Sequence, residues 1–430
     1  MIKTNRSKKV QVGVLIGILV LIWLAALVFY WSVDPIRQSN WRTLASVILS
    51  YLLLWGIVFL CSNVSKIEKV QRFLLTSVSV ALTVGLLEFL VLLNIVDFRL
   101  VLGTPIEEPW KHPDNLLDPK LLHIHKPHDR LLYNGIEYRY DQYGLRNEVD
   151  LEASDIVVIG DSFIEGWKVS STDLLTSHLA KQLGRTVANL GQSWYGPQQE
   201  LELLRRYGLQ LHPKVCIWAF YEGNDLSDVH RYNRATRDWE NFSKRLHSFR
   251  QRSFTRNAVL AVSRIFDLLR NYDVDYDTKL AEISAVFEES DGRKARIYFV
   301  GERTSLSASD YEALEELRLI LGQAYKLCHA NGAKFLFVFI PIKFRIYSGF
   351  VKFHANAQPL NRVNNDLPKM LEAIVREEIP SGKFLVLTPA FIEEARHGSL
   401  VYFPGYDTHW SPEGHRVAAD AIANFLKKWK

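Results

Sequence analysis

Asp155-Ile156-Val157-Val158-Ile159-Gly160-Asp161-Ser162-Phe163 is a short apolar run that stops at Gly-Asp-Ser. Successive branched apolar side chains ending in a turn signal predict a central strand of a parallel sheet, buried on both faces. In open α/β sheets, ligands and nucleophiles sit just past the carboxyl ends of such strands. Ser162 stands there. Alone, the tripeptide is equally a turn followed by a helix N-cap, so its reading depends on the chain beyond it.

Beyond Ser162 the chain alternates between helix and strand. A helix is predicted from about Thr172 to Leu183, stopped by Gly184. A strand over Thr186–Leu190 leads into Asn189-Leu190-Gly191-Gln192-Ser193-Trp194-Tyr195-Gly196. Pro197 opens the next helix, where its missing N–H costs nothing, and that helix runs to about Tyr207. A third strand, Val215–Phe220, ends in Glu222-Gly223-Asn224-Asp225. From about 228 to 301 the pattern breaks. This stretch reads as a mostly helical insertion over the strand ends, and its first part, Arg231 to Arg256, is rich in Arg, Phe, Tyr and Trp. A packing cap is one reading, and a contact for an acidic glycan or lipid headgroups is the other.

The alternation resumes at Ser309, which with Glu312 fits a capping box. That helix ends near Gly332. Lys334–Ile340 is a fourth buried strand, followed by Pro341–Tyr347 and a helix from about Asn364 to Glu378. Phe384–Leu387 is a short fifth strand, and a final helix starts at Ser411-Pro412-Glu413 and runs to Trp429. The expected fold of residues 151–430 is α/β, a parallel five-stranded sheet flanked by helices. Residues 97–150, with five prolines and a strand pair near Tyr138-Arg139-Tyr140, read as an irregular lead-in with a turn at Gly144.

Toward the N-terminus the chemistry changes. Val10–Trp31, Leu44–Cys61 and Phe73–Val96 are apolar segments, each close to the roughly 20 residues that cross a bilayer. The first is too long for a cleavable signal peptide, and two more come after it. Lys3, Arg6, Lys8 and Lys9 precede the first span, and Lys66, Lys69 and Arg72 separate the second from the third. The positive-inside rule then puts residues 1–9 in the cytoplasm and everything after Val96 outside. The expected location is therefore the plasma (inner) membrane, multi-pass, with an extracytoplasmic domain facing the periplasm or the exterior. Glu88 lies inside the third span, and an acid there is a candidate functional group. The alternative is that it sits near the outer headgroups or pairs within the bundle.

The 430 residues carry a net charge of +5. No basic stripe joins a nucleic-acid-binding signature, so a nucleic-acid partner is not expected. Cys61, Cys216 and Cys328 form no CxxC spacing, so a zinc site is not expected either. Two buried free thiols are the reading for Cys216 and Cys328, with a disulfide as the alternative. No metal or organic cofactor is implied.

Asp407-Thr408-His409-Trp410 stands just before the last helix. A serine hydroxyl is a weak nucleophile until a base takes its proton. His409 can be that base, and Asp407 can fix its tautomer. General base catalysis supplies typically about 10²–10⁴-fold. Charge that builds on a carbonyl oxygen needs preorganised donors, each worth roughly 10²–10³ in rate. The candidates are the N–H of Ser162, the N–H of Gly196 (Gly191 as second choice) and the side chain of Asn224. Lys343, Tyr347 and Trp410 are candidate substrate-binding residues. His415 reads as a helix-surface residue and His397 as a residue at a helix C-terminus.

In combination, Gly160-Asp161-Ser162, the glycine turn after Asn189, Gly223-Asn224-Asp225 and the terminal Asp/His pair resemble the four blocks of the SGNH (GDSL-type) hydrolase superfamily. The resemblance spans about Leu151 to Lys430 and implies a flavodoxin-like sheet. It also implies an acyl-Ser162 intermediate, with Asp407 and His409 completing the triad and Ser162, Gly196 and Asn224 forming the oxyanion hole. Most of the superfamily spaces the final pair as Asp-x-x-His, whereas this chain has Asp-Thr-His-Trp. That spacing and Pro341–Tyr347 resemble the branch containing alginate O-acetyltransferases, in which the shorter pair is functional. The order, with the pair after the serine, is that of ordinary SGNH esterases.

The expected function is a membrane-anchored esterase acting on acyl, chiefly acetyl, esters of an extracytoplasmic glycan or other envelope component. The alternative is an O-acyltransferase that modifies an exported polysaccharide. A third reading, a non-catalytic glycan-binding or scaffold protein, sits poorly with an intact serine, asparagine, aspartate and histidine.

Overall fold

The computed structural model describes residues 53, 55–57, 64–102, 115–133, 135–246, 249–270, 283–299, 304–353, 357 and 362–429. They fall into two units, Met1–Ile106 with Lys244–Asp273, and Glu107–Ser243 with Val274–Lys430.

The larger unit opens with two antiparallel hairpins. β1 (Asn115–Asp118) pairs with β2 (Leu122–His125), and β3 (Arg130–Tyr133) with β4 (Ile136–Arg139). The lead-in is thus more regular than its prolines suggest. Gly144 sits at φ +73°, and a Cβ there would meet the His125 carbonyl at 2.0 Å, so the turn tolerates only glycine.

Next come β5 (Ile156–Gly160), β6 (Val187–Gly191), β7 (Val215–Tyr221), β8 (Ser284–Glu288), β9 (Lys294–Tyr298), β10 (Lys334–Ile340), β11 (Val351–Phe353) and β12 (Lys383–Val386). β5, β6, β7, β10 and β12 form one parallel sheet in the order β12-β10-β7-β5-β6. Its central strands carry side chains to both faces. Val157, Ile159, Trp218 and Phe337 enter one core with Leu201, Leu317 and Leu371, whereas Ile156, Val158, Ile217 and Val338 enter the other with Leu179, Phe391 and Ala418. Burial on both sides is why these strands read as unbroken apolar runs.

The expected helices are present, with boundaries moved by a few residues. The first is Leu175–Leu183, stopped by Gly184 at φ +60° and preceded by a 3₁₀ turn at Ser171–Asp173. Pro197 opens Pro197–Leu203. The helix Ala308–Ala330 is capped by Ser307 with Asp310, not by Ser309 with Glu312. Both pairs have the right spacing, and the one that starts the helix is the one whose side chains reach each other's backbone N–H. Among the described residues of the insertion, helix runs as far as Arg270. The insertion's last part, β8 and β9, builds a small antiparallel sheet with β11 in the order β11-β8-β9. A further helix, Thr388–Arg396, follows β12. Cys216 and Cys328 are buried free thiols.

In the smaller unit, Lys66–Leu92 is a 27-residue helix with mean hydropathy 2.1 over its apolar window, long and apolar enough to cross a membrane. The expected third span falls on it. The expected first span lies outside the described residues. So does most of the second, of which residues 53 and 55–57 are described and helical. Glu88 is not alone. Its carboxylate accepts hydrogen bonds from Ser253 Oγ (2.9 Å) and from the N–H groups of Phe254 (3.2 Å) and Thr255 (2.8 Å), capping the helix Phe254–Arg270.

Candidate active site

The carboxyl ends of β5 and β7 and the loop after β6 meet at a cavity of roughly 550 Å³ lined by Ser162, Asn224 and His409, with Trp167, Trp194 and Arg231 around them. Asp161 follows β5 directly and caps a short helix, Ser162–Glu165, its Oδ1 accepting the Phe163 N–H at 2.9 Å. Ser162 is the first residue of that helix, so its own N–H has no partner within it. β5 therefore presents both the hydroxyl and a free-pointing N–H at the cavity.

His409 Nε2 lies 2.8 Å from Ser162 Oγ, and its Nδ1 lies 2.7 Å from Asp407 Oδ1. The same Asp407 oxygen accepts the His409 backbone N–H at 3.1 Å. This second bond is what the one-residue spacing makes possible. The carboxylate folds back on its own turn and reaches both the ring and the chain that carries it. A carboxylate on Nδ1 fixes the tautomer with the proton there, leaving Nε2 to accept from the serine.

A fourth group completes this corner, and nothing in the sequence pointed to it. Lys168 donates to Asp407 Oδ2 at 2.7 Å. Burial by itself would raise the Asp407 carboxyl. The hydrogen bonds from His409 and Lys168 outweigh it and hold the group well below the usual carboxylate range. Lys168 takes a left-handed conformation, φ +58°, which costs about 1–3 kcal/mol for a non-glycine residue and persists only where neighbours impose it. They do. Arg146 clamps the carbonyls of Glu165, Gly166 and Val169 and stacks on Tyr138, whose hydroxyl accepts the Lys168 N–H at 2.8 Å.

On the opposite side, the loop after β6 departs from expectation. The Gly196 N–H is bound to Gln199 Oε1 (3.2 Å), within the cap of its own helix. The Gly191 N–H is bound to Asn189 Oδ1 (2.8 Å). Neither glycine lines the cavity. Ser193 and Trp194 do. Glycine is required at 191 for another reason, because a Cβ would meet the Glu165 nitrogen at 2.2 Å. Trp194 sits at φ +68°, a position a glycine would take without strain, and Arg231 holds it by donating to its carbonyl at 2.6 Å and lying over its ring.

Ser193 is fixed from below. Its N–H donates to Glu165 Oε2 at 2.6 Å, and its carbonyl lies 3.1 Å from His123 Nε2. Glu165 also accepts from Tyr140 (2.9 Å) and meets His125 (3.2 Å). Burial would raise this carboxyl, but the His125 contact and the Ser193 N–H bring it down to about 2. The lead-in thus braces, from behind, the loop that lines the site.

Asn224 reaches the cavity, and its amide nitrogen lies 3.3 Å from Asp161 Oδ2 and 3.0 Å from Asp228 Oδ2. Behind it four carboxyls are buried: Asp161, Glu200, Asp225 and Asp228. Burial, then mutual repulsion, pushes Glu200 and Asp225 well above the ordinary range, and burial raises Asp161.

The three candidate substrate residues are elsewhere. Lys343 is fully buried, its ammonium bound to the carbonyls of Phe403 (2.7 Å) and Gly405 (3.1 Å). Tyr347 is buried, its hydroxyl accepting the Val401 N–H at 2.8 Å. Trp410 is buried against Phe163 and Phe391. All three brace the loop that carries Asp407 and His409. An exposed polar reading failed because β10 ends inside the molecule. His415 is also buried, accepting the Leu175 N–H at 3.2 Å, and burial takes it down to about 3. His397 ends its helix at the surface, as expected.

Residues 267–430 match the family described as the SGNH hydrolase-like domain of the acetyltransferase AlgX. Over that stretch the chain is similar to an SGNH hydrolase-like domain with AlgX-like features. The matched stretch holds Asp407 and His409 and lies wholly after Ser162. Among solved structures this chain is similar to TesA (11% identity, 64% of this chain and 99% of that one, TM-score 0.34). It is also similar to a lipolytic-type protein of the G-D-S-L family from Desulfitobacterium hafniense DCB-2 (12%, 63% and 97%, TM-score 0.33). A third is a catalytic mutant of Axe2, an acetylxylan esterase from Geobacillus stearothermophilus (12%, 64% and 94%, TM-score 0.33). No curated protein sequence is significantly similar.

Proposed function

We propose that this protein is a membrane-anchored serine esterase that cleaves acyl esters, chiefly acetyl esters, of an extracytoplasmic glycan or other envelope component through an acyl-Ser162 intermediate. The observation that carries the reading is the relay from Asp407 through His409 to Ser162 at 2.7 and 2.8 Å. As Ser162 Oγ attacks the ester carbonyl carbon, its proton passes to His409 Nε2, and Asp407 stabilises the imidazolium. The carbonyl oxygen becomes an oxyanion that the Ser162 N–H and Asn224 amide can meet. For that, the amide must turn an N–H from its carboxylate partners toward substrate. Collapse breaks the ester C–O bond, and the leaving alkoxide takes the proton back from His409. Water, deprotonated by the same histidine, then attacks the acyl-serine carbonyl and releases the acid.

The match to the acetyltransferase AlgX favours a second reading, in which a sugar hydroxyl replaces water and the product is an O-acylated polysaccharide. Lys66–Leu92 supports the anchor, and the flanking cations support a multi-pass chain with its catalytic domain outside.

The test uses the full chain in detergent with p-nitrophenyl acetate, wild type beside Ser162→Ala, with and without oligosaccharide acceptors. Wild type should release p-nitrophenol, and the variant should lose at least about 10³-fold. Acetate recovered on the sugar selects the transferase, and acetate recovered only in solution selects the esterase. Equal turnover by both proteins would sink the acyl-serine reading.

A further inference from the structure

The insertion has a chemistry of its own. Phe249-Arg250-Gln251-Arg252-Ser253-Phe254-Thr255-Arg256 places three arginines among two phenylalanines. This turn packs on the end of the apolar helix. Glu88 caps the helix that starts at Phe254, Arg252 Nη1 donates to Asn94 Oδ1, and the Phe254 ring meets Phe98 edge-on at 5.0 Å. Glu88, Asn94 and Phe98 mark the level at which the apolar surface of Lys66–Leu92 gives way to polar chain. The arginines are therefore set at that level.

Their charge is only partly matched there, by the Glu88 carboxylate bound within the turn and by Asp97, which Arg252 also stabilises. Asp97 is paired with Arg99. Arg250, Arg252 and Arg256 have no ion-pair partner among the described residues, and Arg252 Nε is buried without an acceptor. Arg256 is pushed down by burial first and then by Arg250 and Arg99, so these cations repel one another as they stand. An anion with several oxygens would relieve the repulsion and fill the missing acceptor, and guanidinium groups suit phosphate best.

We propose that the turn Phe249–Arg256 is a lipid-phosphate site, formed where the insertion packs on the end of the apolar helix, and that its occupant is an anionic phospholipid. The location selects lipid over free phosphate. Guanidinium groups pair with phosphate oxygens, and aromatic side chains favour the headgroup level, so the combination suits a lipid phosphate. The site would fix the insertion to the bilayer surface as a second attachment besides the span. This inference rests on reading Lys66–Leu92 as a membrane span, and it is independent of the chemistry at Ser162.

The experiment follows thermal unfolding of the full chain in detergent micelles, with phosphatidylglycerol, phosphatidylcholine or soluble glycerol 3-phosphate added at equal concentration. A ligand of the native state raises Tm. Phosphatidylglycerol should raise the wild-type Tm by several degrees, and the other two should not. In Arg250→Gln/Arg256→Gln the shift should fall by half or more. Arg252 is kept because its bond to Asn94 holds the turn. The variant's lipid-free Tm, expected at or above wild type because repulsion is relieved, reports that it folds. No shift with phosphatidylglycerol, an equal shift in the variant, or an equal shift with glycerol 3-phosphate would each overturn the proposal. Release of the chain from membranes by alkaline carbonate would remove the span and this site together, while leaving the Ser162 test untouched.

Discussion

The two sides of the Ser162 cavity are built in opposite ways. On the acid–base side, both Asp407 oxygens are bound, both His409 ring nitrogens are engaged, and Lys168 closes the end of the chain of contacts. On the oxyanion side, Asn224 Oδ1, Glu200 Oε1 and Asp225 Oδ1 are buried without partners, and four carboxyls crowd behind one amide. A buried polar atom without a partner costs roughly 1–3 kcal/mol. The first side is preorganised for a proton that moves along a fixed line. The second leaves polar atoms unpartnered where, on the proposed mechanism, negative charge would develop, and carboxylates there would oppose an oxyanion. The site therefore gains if the acidic cluster holds protons rather than charge.

The largest break in this comparison is Asp407→Asn. It keeps the shape but allows the wrong His409 tautomer, and kcat should fall on the order of 10⁴-fold. Steady-state kinetics on p-nitrophenyl acetate checks it. A loss under tenfold would mean that the His409 backbone, not Asp407, sets the ring. Asn224→Ala comes next. It should cost about 10²–10³ in kcat with little change in KM, as expected of a donor used mainly in the transition state. An effect confined to KM would place Asn224 in ground-state binding. Lys168→Met is smaller, about tenfold in kcat, because it acts only through Asp407. Lys168→Arg should recover most of the activity if charge is what matters, and equal losses in both would make Lys168 a packing residue.

The same contrast governs what the sequence could reveal. β5, β7 and β10 were legible because burial on both faces leaves no alternation to misread. The placing of Ser162, Asn224, Asp407 and His409 near one another was legible because each sits at a strand end or just before a helix. Lys168 was not, since its partner lies 239 residues away and nothing local marks it. Trp194 was hidden because a left-handed tryptophan has no sequence signature, whereas the glycines at 191 and 196 attract the eye for turn and packing reasons unrelated to catalysis. Lys343 and Tyr347 misled because a polar residue after a strand usually faces solvent, and here the chain dives under the loop 401–410. β8 and β9 pair with each other as a local hairpin, and only β8 has a distant partner, β11; they were lost because the whole stretch read as one mostly helical insertion.

The smallest effect probes the acidic cluster directly. Glu200 is buried, accepts the Trp218 indole N–H at 2.6 Å, and has its other oxygen unbound. Its pKa is raised above the ordinary 4.5 by burial and then by Asp161 and Asp228. With the folded value above the unfolded one, the native state binds the extra proton. The stability this group contributes is then complete below the ordinary carboxylate range and is lost as pH climbs from there toward the raised value. Glu200→Gln keeps an acceptor for Trp218 and removes the titration. Its Tm should match wild type near pH 4 to 5 and exceed it by a few degrees near pH 8, as measured by calorimetry across that range. A gap of constant size would show that Glu200 does not titrate between these values. A gap that widened toward acid would mean that the cluster is held ionised, with Arg231, which pairs with Asp228, as its cation.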